Sequence, residues 1–245
     1  MKLDEYFSEF YGIVLGDGCI SKYKSQGRIR QVIRIDGNSI TDKFYFEHIK
    51  FLIKKIINKE VKIKYRNYGN NIFITFYDKN LTLFFNEKLK FPYGKKINIK
   101  IPSQILRKKK NINAILRGFF DTDGCIYFTK NNSKLRNYPI IELSTHDSTL
   151  LKQFKEILEN KNFKIRISHY KDSIKLYGKK NILKWMNEIG SNNLDKYSKF
   201  LFWKKYEYCP KINELPLNLR LKKMGLPGFE PGTSGFPSFV PEGAI

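Results

Sequence analysis

Hydrophobic and polar residues follow two periods along this chain. Apolar positions at helical spacing mark "DKFYFEHIKFLIKKI" from Asp42 and "DSTLLKQFKEILEN" from Asp147, each opened by an aspartate suited to a helix start. Shorter stretches alternate instead: "RIRQVIRI" (28–35), "VKIKYR" (61–66), "YPIIELS" (138–144) and "FKIRIS" (163–168). In the first, Arg28, Arg30 and Arg34 take even positions while Ile29, Ile33 and Ile35 take odd ones. Lys62, Lys64 and Arg66 alternate with Val61, Ile63 and Tyr65, and Lys164, Arg166 and Ser168 with Phe163, Ile165 and Ile167. Period two sends the cations to one face of a strand and the apolar residues to the other. The pattern therefore predicts antiparallel sheets with an apolar face under helices and a cationic face outward.

The elements recur in order. Both "FYGIVLGDGCIS" (10–21) and "RGFFDTDGCIYF" (117–128) contain Asp-Gly-Cys-Ile, and placing Asp17 over Asp123 sets an offset of 106. Each is followed by a polar, basic stretch, an alternating strand, the helix opened by Asp42 or Asp147, and a basic strand. A further strand ("NIFITFYDKNL" or "SIKLYGKKNI") and a last helix ("TLFFNEKL" or "LKWMNEIG") complete each series, with offsets drifting only between 101 and 108. The reading is αββαββα twice, an α+β fold of two pseudo-two-fold-related repeats. The first repeat spans 1–103 and the second 114–221, joined by a basic linker at 104–113, and a flexible tail rich in Gly and Pro follows at 222–245.

The helix before each acid carries small residues four apart: Gly12 and Gly16 in the first repeat, Gly118 and Thr122 in the second. That spacing lets two helix backbones approach closely. Packed across a pseudo-two-fold axis, they would bring Asp17 and Asp123 side by side. Adjacent carboxylates repel and raise each other's pKa, and a divalent cation between them removes the penalty. Hard oxygen ligands with open water positions suit Mg²⁺ (or Mn²⁺). Either copy alone reads as a helix end with a glycine stop; their pairing gives the acids a chemical meaning.

Charge sharpens the picture. Lys+Arg total 46 against 23 Asp+Glu, a net charge of +23 with 15% aromatic residues, which points to a polyanionic partner. Lys outnumbers Arg 37 to 9, a bias that an AT-rich genome or a thermophile's surface also produces, yet no matching acids balance it. Cys19, Cys125 and Cys209 lie far apart, which argues against a zinc module or a disulfide scaffold. With no signal-like N-terminus and no long apolar run, the expectation is a soluble, cytoplasmic protein without membrane contact.

At these motifs the chain resembles the LAGLIDADG homing endonucleases in their single-chain, two-repeat form. The residues that carry the resemblance are Phe10-Tyr11-Gly12-Ile13-Val14-Leu15-Gly16-Asp17-Gly18 and Leu116-Arg117-Gly118-Phe119-Phe120-Asp121-Thr122-Asp123-Gly124, within a likeness that spans about residues 5–210. The second copy keeps the motif's earlier acid as Asp121; the first has Leu15 there. The resemblance implies a monomeric, metal-dependent DNA endonuclease that hydrolyses one phosphodiester per strand and leaves 3′ overhangs. It assigns the metals to Asp17 and Asp123, with the carbonyls of Gly16 and Thr122 as helpers. It also implies a catalytic lysine near the end of the fourth strand of each repeat, for which the alignment gives Lys79 and Lys180, with Lys179 as the alternate. Asp36 or Asn38, and Thr145 or His146, would organise the water network; His146 and His169 could be read as bases or as parts of a DNA-facing surface.

The cationic strand faces then form a saddle for a duplex, with Arg28, Arg30, Arg34, Lys62, Lys64, Arg66, Lys164, Arg166 and Lys175 as contacts. Lysine-rich loops, Lys22 to Lys24 and Lys130 through Lys134 to Arg136, would bind phosphates and set register. Two non-identical repeats imply a long double-stranded DNA site that is asymmetric or only roughly palindromic. An intron maturase or a non-cleaving DNA-binding protein on the same scaffold is the alternative. An intein-borne nuclease is disfavoured by the initial Met and the lack of splice-junction residues, which leaves a free-standing or intron-encoded enzyme as the expectation.

Overall fold

The computed structural model describes residues 1–66 and 69–210. The segment read as a flexible tail lies outside them. Each repeat folds in the expected order. The first contains α1 (Glu5–Leu15), β1 (Gly18–Ser25), β2 (Arg28–Asn38), α2 (Lys43–Ile57), β3 (Ile63–Tyr65), β4 (Asn71–Tyr77) and α3 (Lys79–Leu83), which runs on as a π-helical turn to Lys88. After the short α4 (Ser103–Leu106), the second contains α5 (Lys109–Asp123), β5 (Gly124–Thr129), β6 (Tyr138–Ser144), α6 (Ser148–Asn160), β7 (Ile165–Ile167), β8 (Ser173–Tyr177) and α7 (Gly178–Glu188), then α8 (Leu194–Tyr206).

The sheets share one antiparallel topology, β1-β2-β4-β3 and β5-β6-β8-β7. Their inner faces carry the odd residues of β2, with Ile33 and Ile35 buried, and Ile141 and Leu143 of β6. A continuous apolar core joins them to α1, α2, α5 and α6. Ring contacts concentrate it: Tyr11 stacks on Phe85 at 5.5 Å, and Phe120 meets Trp185 at 5.1 Å. Asp147 caps α6 by accepting from Leu150 N at 2.8 Å. Asp42 precedes α2 without such a bond and is used elsewhere.

Two boundaries differ from the sequence reading. The segment read as a linker is mostly helical, because α5 begins at Lys109 and carries the second repeat's core face back to Asn111. The stretch around Lys22 and Lys24 is strand rather than loop: β1 pairs with β2 as far as Ser25↔Arg28, and the chain turns at Gln26-Gly27.

α1 and α5 form the seam between the repeats. A Cβ on Gly12 would run into the carbonyl of Ile115 and the amide of Phe119; one on Gly118 would meet the carbonyl of Glu9 and the amide of Ile13. Gly16 lies against the side chain of Thr122. The small residues at four-residue spacing are thus the contact points of two crossing backbones. Among the described residues no helix is long and apolar enough to cross a membrane.

Candidate active site at the helix seam

Because the helices cross at their small residues, both C-terminal ends open at the same place. Asp17 follows α1, Asp123 ends α5, and their carboxyl groups lie within hydrogen-bonding reach of each other. Both reach solvent in the groove, yet its walls crowd them. Desolvation, then the charges of Asp123 and Asp42, push Asp17 up to about 7 against the pull of Lys196 and Lys96. Asp123 is raised by desolvation as well, with Lys96, Lys196, the hydrogen bond from Asp17 and His146 opposing. A carboxyl pair this close shares one proton near neutrality when no cation lies between its members.

The lysines at the acids are Lys96 and Lys196, not Lys79 and Lys180. Lys96 Nζ donates to the carbonyl of Leu15 at 2.7 Å and to that of Gly16. Lys196 Nζ donates to Phe120 O at 2.5 Å and to Thr122 O at 3.2 Å. Burial lowers the pKa of both ammonium groups, and the neighbouring carboxylates partly restore it. Lys79 and Lys180 fail for a geometric reason. Asp17 precedes the Gly18↔Ile35 pair, whereas β4 ends at Tyr77, opposite Val32, well out along the sheet; β8 likewise ends at Tyr177, opposite Ile140. Lys79 is exposed at that far rim, Lys180 is exposed on α7, and Lys179 pairs with Glu207 at 2.8 Å.

A buried polar network backs the site. Glu9 on α1 takes Arg117 Nη2 of α5 at 2.8 Å, His48 Nε2 of α2 at 2.7 Å and Asn192 Nδ2 at 2.7 Å. Burial alone would raise Glu9, but Arg117 and His48 hold it well below the usual carboxylate range. Asp121 accepts from Ser191 Oγ at 2.5 Å and from the amides of Asn192 and Asn193 at 2.6 and 3.2 Å. Burial lifts it to about 6. Asn193 caps α8 and donates to Asp42 Oδ1 at 3.2 Å. Asp121 thus anchors the start of the helix that carries Lys196. Among the described residues the first repeat has no such helix and no such acid: Leu15 is buried in the core, and Lys96 arrives on an irregular loop tied to β1 by Gly94 N donating to Ile20 O at 2.7 Å.

The oxygen-only donor set fits a hard divalent cation: two carboxylates with their repulsion unrelieved, flanked by the carbonyls of Gly16 and Thr122, where ammonium groups now sit. Among the described residues no group of three His, Cys, Asp or Glu side chains gathers to hold a metal, so carbonyls and outside ligands would complete its shell.

Strand pairing puts Arg28, Arg30, Arg34 and Lys64 on one outer face, and Arg166 and Lys175 on the other. Aromatic rings hold three of the arginines: Arg34 over Phe73 at 4.3 Å, Arg30 over Tyr77 at 5.9 Å and Arg166 over Tyr177 at 5.4 Å. Lys62, Arg66 and Lys164 flank the short strands β3 and β7 and are exposed, and Lys130 and Lys134 lie exposed in the β5–β6 loop with Arg136 partly covered. Lys22 and Lys24 depart from expectation: paired with Gln31 and Ile29, they project from the opposite, helix-side face, and Lys22 lies over the Tyr93 ring at 5.8 Å. Of the expected water-organising residues, Asp36 donates its amide to Asp17 O at 3.3 Å but commits its carboxylate to Arg34, and Asn38 accepts from Ile40 N. Thr145 Oγ1 accepts from Asp147 N at 3.2 Å, His146 favours the ionised form of Asp123, and His169 meets Tyr170 edge to face.

Residues 110–198 match the family model of a LAGLIDADG-like domain. A DNA polymerase of Methanocaldococcus jannaschii is 27% identical over 241 residues, 93% of this chain but only 13% of that protein's length. Among solved structures, the homing endonuclease I-DmoI in complex with DNA and Ca superposes with a TM-score of 0.56 at 16% identity, over 82% of this chain and all of that one. I-LtrWI, a LAGLIDADG homing endonuclease bound to target DNA, gives 0.55 at 15% identity over 83% and 90% of the two chains. The meganuclease I-SmaMI, bound to uncleavable DNA, gives 0.56 at 12% identity over 84% and 91%. At these identities the structural likeness is one of fold.

Proposed function

We propose that the chain is a LAGLIDADG protein in the single-chain, two-repeat form and acts as a site-specific double-strand DNA endonuclease. The observation that carries this reading is the acid pair at the seam, with one lysine at each helix end. Asp17 and Asp123, helped by the carbonyls of Gly16 and Thr122, hold divalent ions, Mg²⁺ or Mn²⁺. When bound, such ions supply an activated water, a charge sink for the phosphorane and a stabilised leaving 3′-oxygen.

The chain's own groups do the rest. Lys96 and Lys196 place positive charge beside the scissile phosphates, where it meets the charge that builds in the transition state. The arginines on the outer sheet faces enter the major groove, and the surrounding lysines bind phosphates and fix register. The duplex lies across the seam, one strand's phosphate at each acid, and cleavage leaves 3′ overhangs.

Supercoiled plasmid bearing the target, incubated with Mg²⁺, tests the reading. The parent is expected to linearise it, whereas Asp17→Asn and Asp123→Asn should bind it without cutting. Lys96→Met and Lys196→Met should slow cutting by about 10²-fold or more at little cost in affinity. Binding without cleavage by the parent, across Mg²⁺ and Mn²⁺, would instead favour a DNA-binding protein on this scaffold.

A further inference from the structure

Register-equivalent positions on the two outer sheet faces carry opposite charge. Arg34 pairs with Cys19 on β1 and Thr75 on β4; Glu142 pairs with Cys125 on β5 and Lys175 on β8. Each cysteine lies two residues beyond an acid of the seam pair, so Arg34 and Glu142 stand equally far along their sheets from Asp17 and Asp123.

Both side chains are held for presentation. Arg34 donates Nε and Nη2 to Asp36 at 2.7 and 2.6 Å, with Phe73 beneath its plane. A guanidinium has five N–H donors, so the outward edge of Arg34 keeps three. Glu142 accepts from Ser173 Oγ at 2.6 Å and Tyr127 OH at 3.0 Å, and Lys175 Nζ lies 3.3 Å away. A carboxylate accepts at about four lone-pair sites, so one stays open.

We infer that Arg34 and Glu142 are a specificity-determining pair: Arg34 selects guanine in one half-site, and Glu142 selects cytosine at the equivalent place in the other. The inference rests on the endonuclease reading and deepens it. Guanine shows N7 and O6 acceptors to the major groove, which suit the free edge of Arg34; cytosine shows its N4 donor, which suits the open site of Glu142. Lys175 stands beside Glu142 with donors to spare, so the two together match the donor and acceptors of one C·G pair. A palindrome carries the same base at equivalent places on its two strands. Opposite charges at equivalent protein positions therefore make the preferred target depart from a palindrome at this base pair.

The test is selection by the full-length chain from a duplex library randomised along the groove, read by sequencing the bound and the cleaved fractions. Read on strands related by the pseudo-two-fold, the parent should select guanine at one place and cytosine at the equivalent place, equidistant from the cleavage centre. Arg34→Ala should lose about tenfold discrimination at the first place only. Glu142→Gln should lose it at the second only, with the preference moving toward adenine, which an amide reads. Unchanged selection elsewhere shows that each variant is folded. The inference is overturned by parental profiles in both variants, by losses spread evenly over the site, or by the same base chosen at the equivalent places of the two two-fold-related strands, as in a palindrome. A parent that selects no sequence defeats the endonuclease reading itself, and the inference with it.

Discussion

Neutralising one acid of the seam should stabilise the metal-free protein, by an amount that grows with pH. In the folded chain Asp17 keeps its proton up to about 7, whereas its ordinary value is 3.8. Below about pH 4 the carboxyl is protonated in both states and costs nothing. Between about 4 and 7 the unfolded chain releases a proton that the folded chain holds, so stability falls as pH rises, and above 7 the loss is complete. At about 1.4 kcal/mol per tenfold change in proton affinity the ceiling is about 4 kcal/mol. Asp17 opens to the solvent-filled groove, so screening leaves about 1–2 kcal/mol. Asp17→Asn removes this loss. Asp121, raised to about 6, titrates in parent and variant alike and cancels in the comparison. Thermal unfolding in EDTA at pH 4 to 8 should show the variant drawing ahead by roughly 2–8 °C between the extremes. Mg²⁺ at pH 8 should restore the parent and leave the variant unmoved. A gap independent of pH, or a variant less stable at pH 8, would refute the reasoning.

The buried pair behind the acids is expected to be sensitive to losing one partner. Arg117→Met leaves the Glu9 carboxylate buried with only His48 and Asn192, and should cost about 3–5 kcal/mol in urea unfolding, while Glu9→Gln combined with Arg117→Met costs less. At the crossing point, Gly12→Ala forces a methyl against the carbonyl of Ile115 and should lower stability by about 1–3 kcal/mol or more, read as a fall in melting temperature.

What the sequence made legible was whatever depends on local spacing and repetition. Gly12, Gly16, Gly118 and Thr122 disclose the seam because backbone approach requires small residues at a fixed interval, and Asp17 and Asp123 follow from it. The alternation in 28–35 discloses which face Arg30 and Arg34 occupy, since the period of a strand is fixed by its pleat. The lysines were hidden because their placement is tertiary. Lys96 lies in a segment without either period, and α8 carries Lys196 in "LDKYSKFLFWKKY", whose mixed charges and rings show no clean apolar stripe. Their mutual offset of 100, just outside the drift of the other elements, was the available signal, but in a chain with 37 lysines it did not stand out. β1 was obscured in the same way: beyond Ile20 its side chains are Ser, Lys and Tyr, with nothing buried to mark the register.

The repeats stay alike where geometry forbids change and diverge where several solutions serve. Neither Gly12 nor Gly118 has room for a side chain, since each would drive a carbon into the opposite helix's main chain. The delivery of a lysine to each helix end is freer. The second repeat uses Asp121 to fix the 191–193 turn and the start of α8, so Lys196 arrives on a helix. The first repeat lets an irregular loop bond to Ile20 and bring in Lys96, and with no helix start to anchor among the described residues, the position of Asp121 is filled by the apolar Leu15. An aspartate at 15 would be a buried carboxylate without the amides that satisfy Asp121, and a leucine at 121 would leave those amides unpaired. The earlier acid of the motif is therefore a structural anchor in this chain. Its presence in one half and absence in the other follow from which route each repeat takes to its lysine.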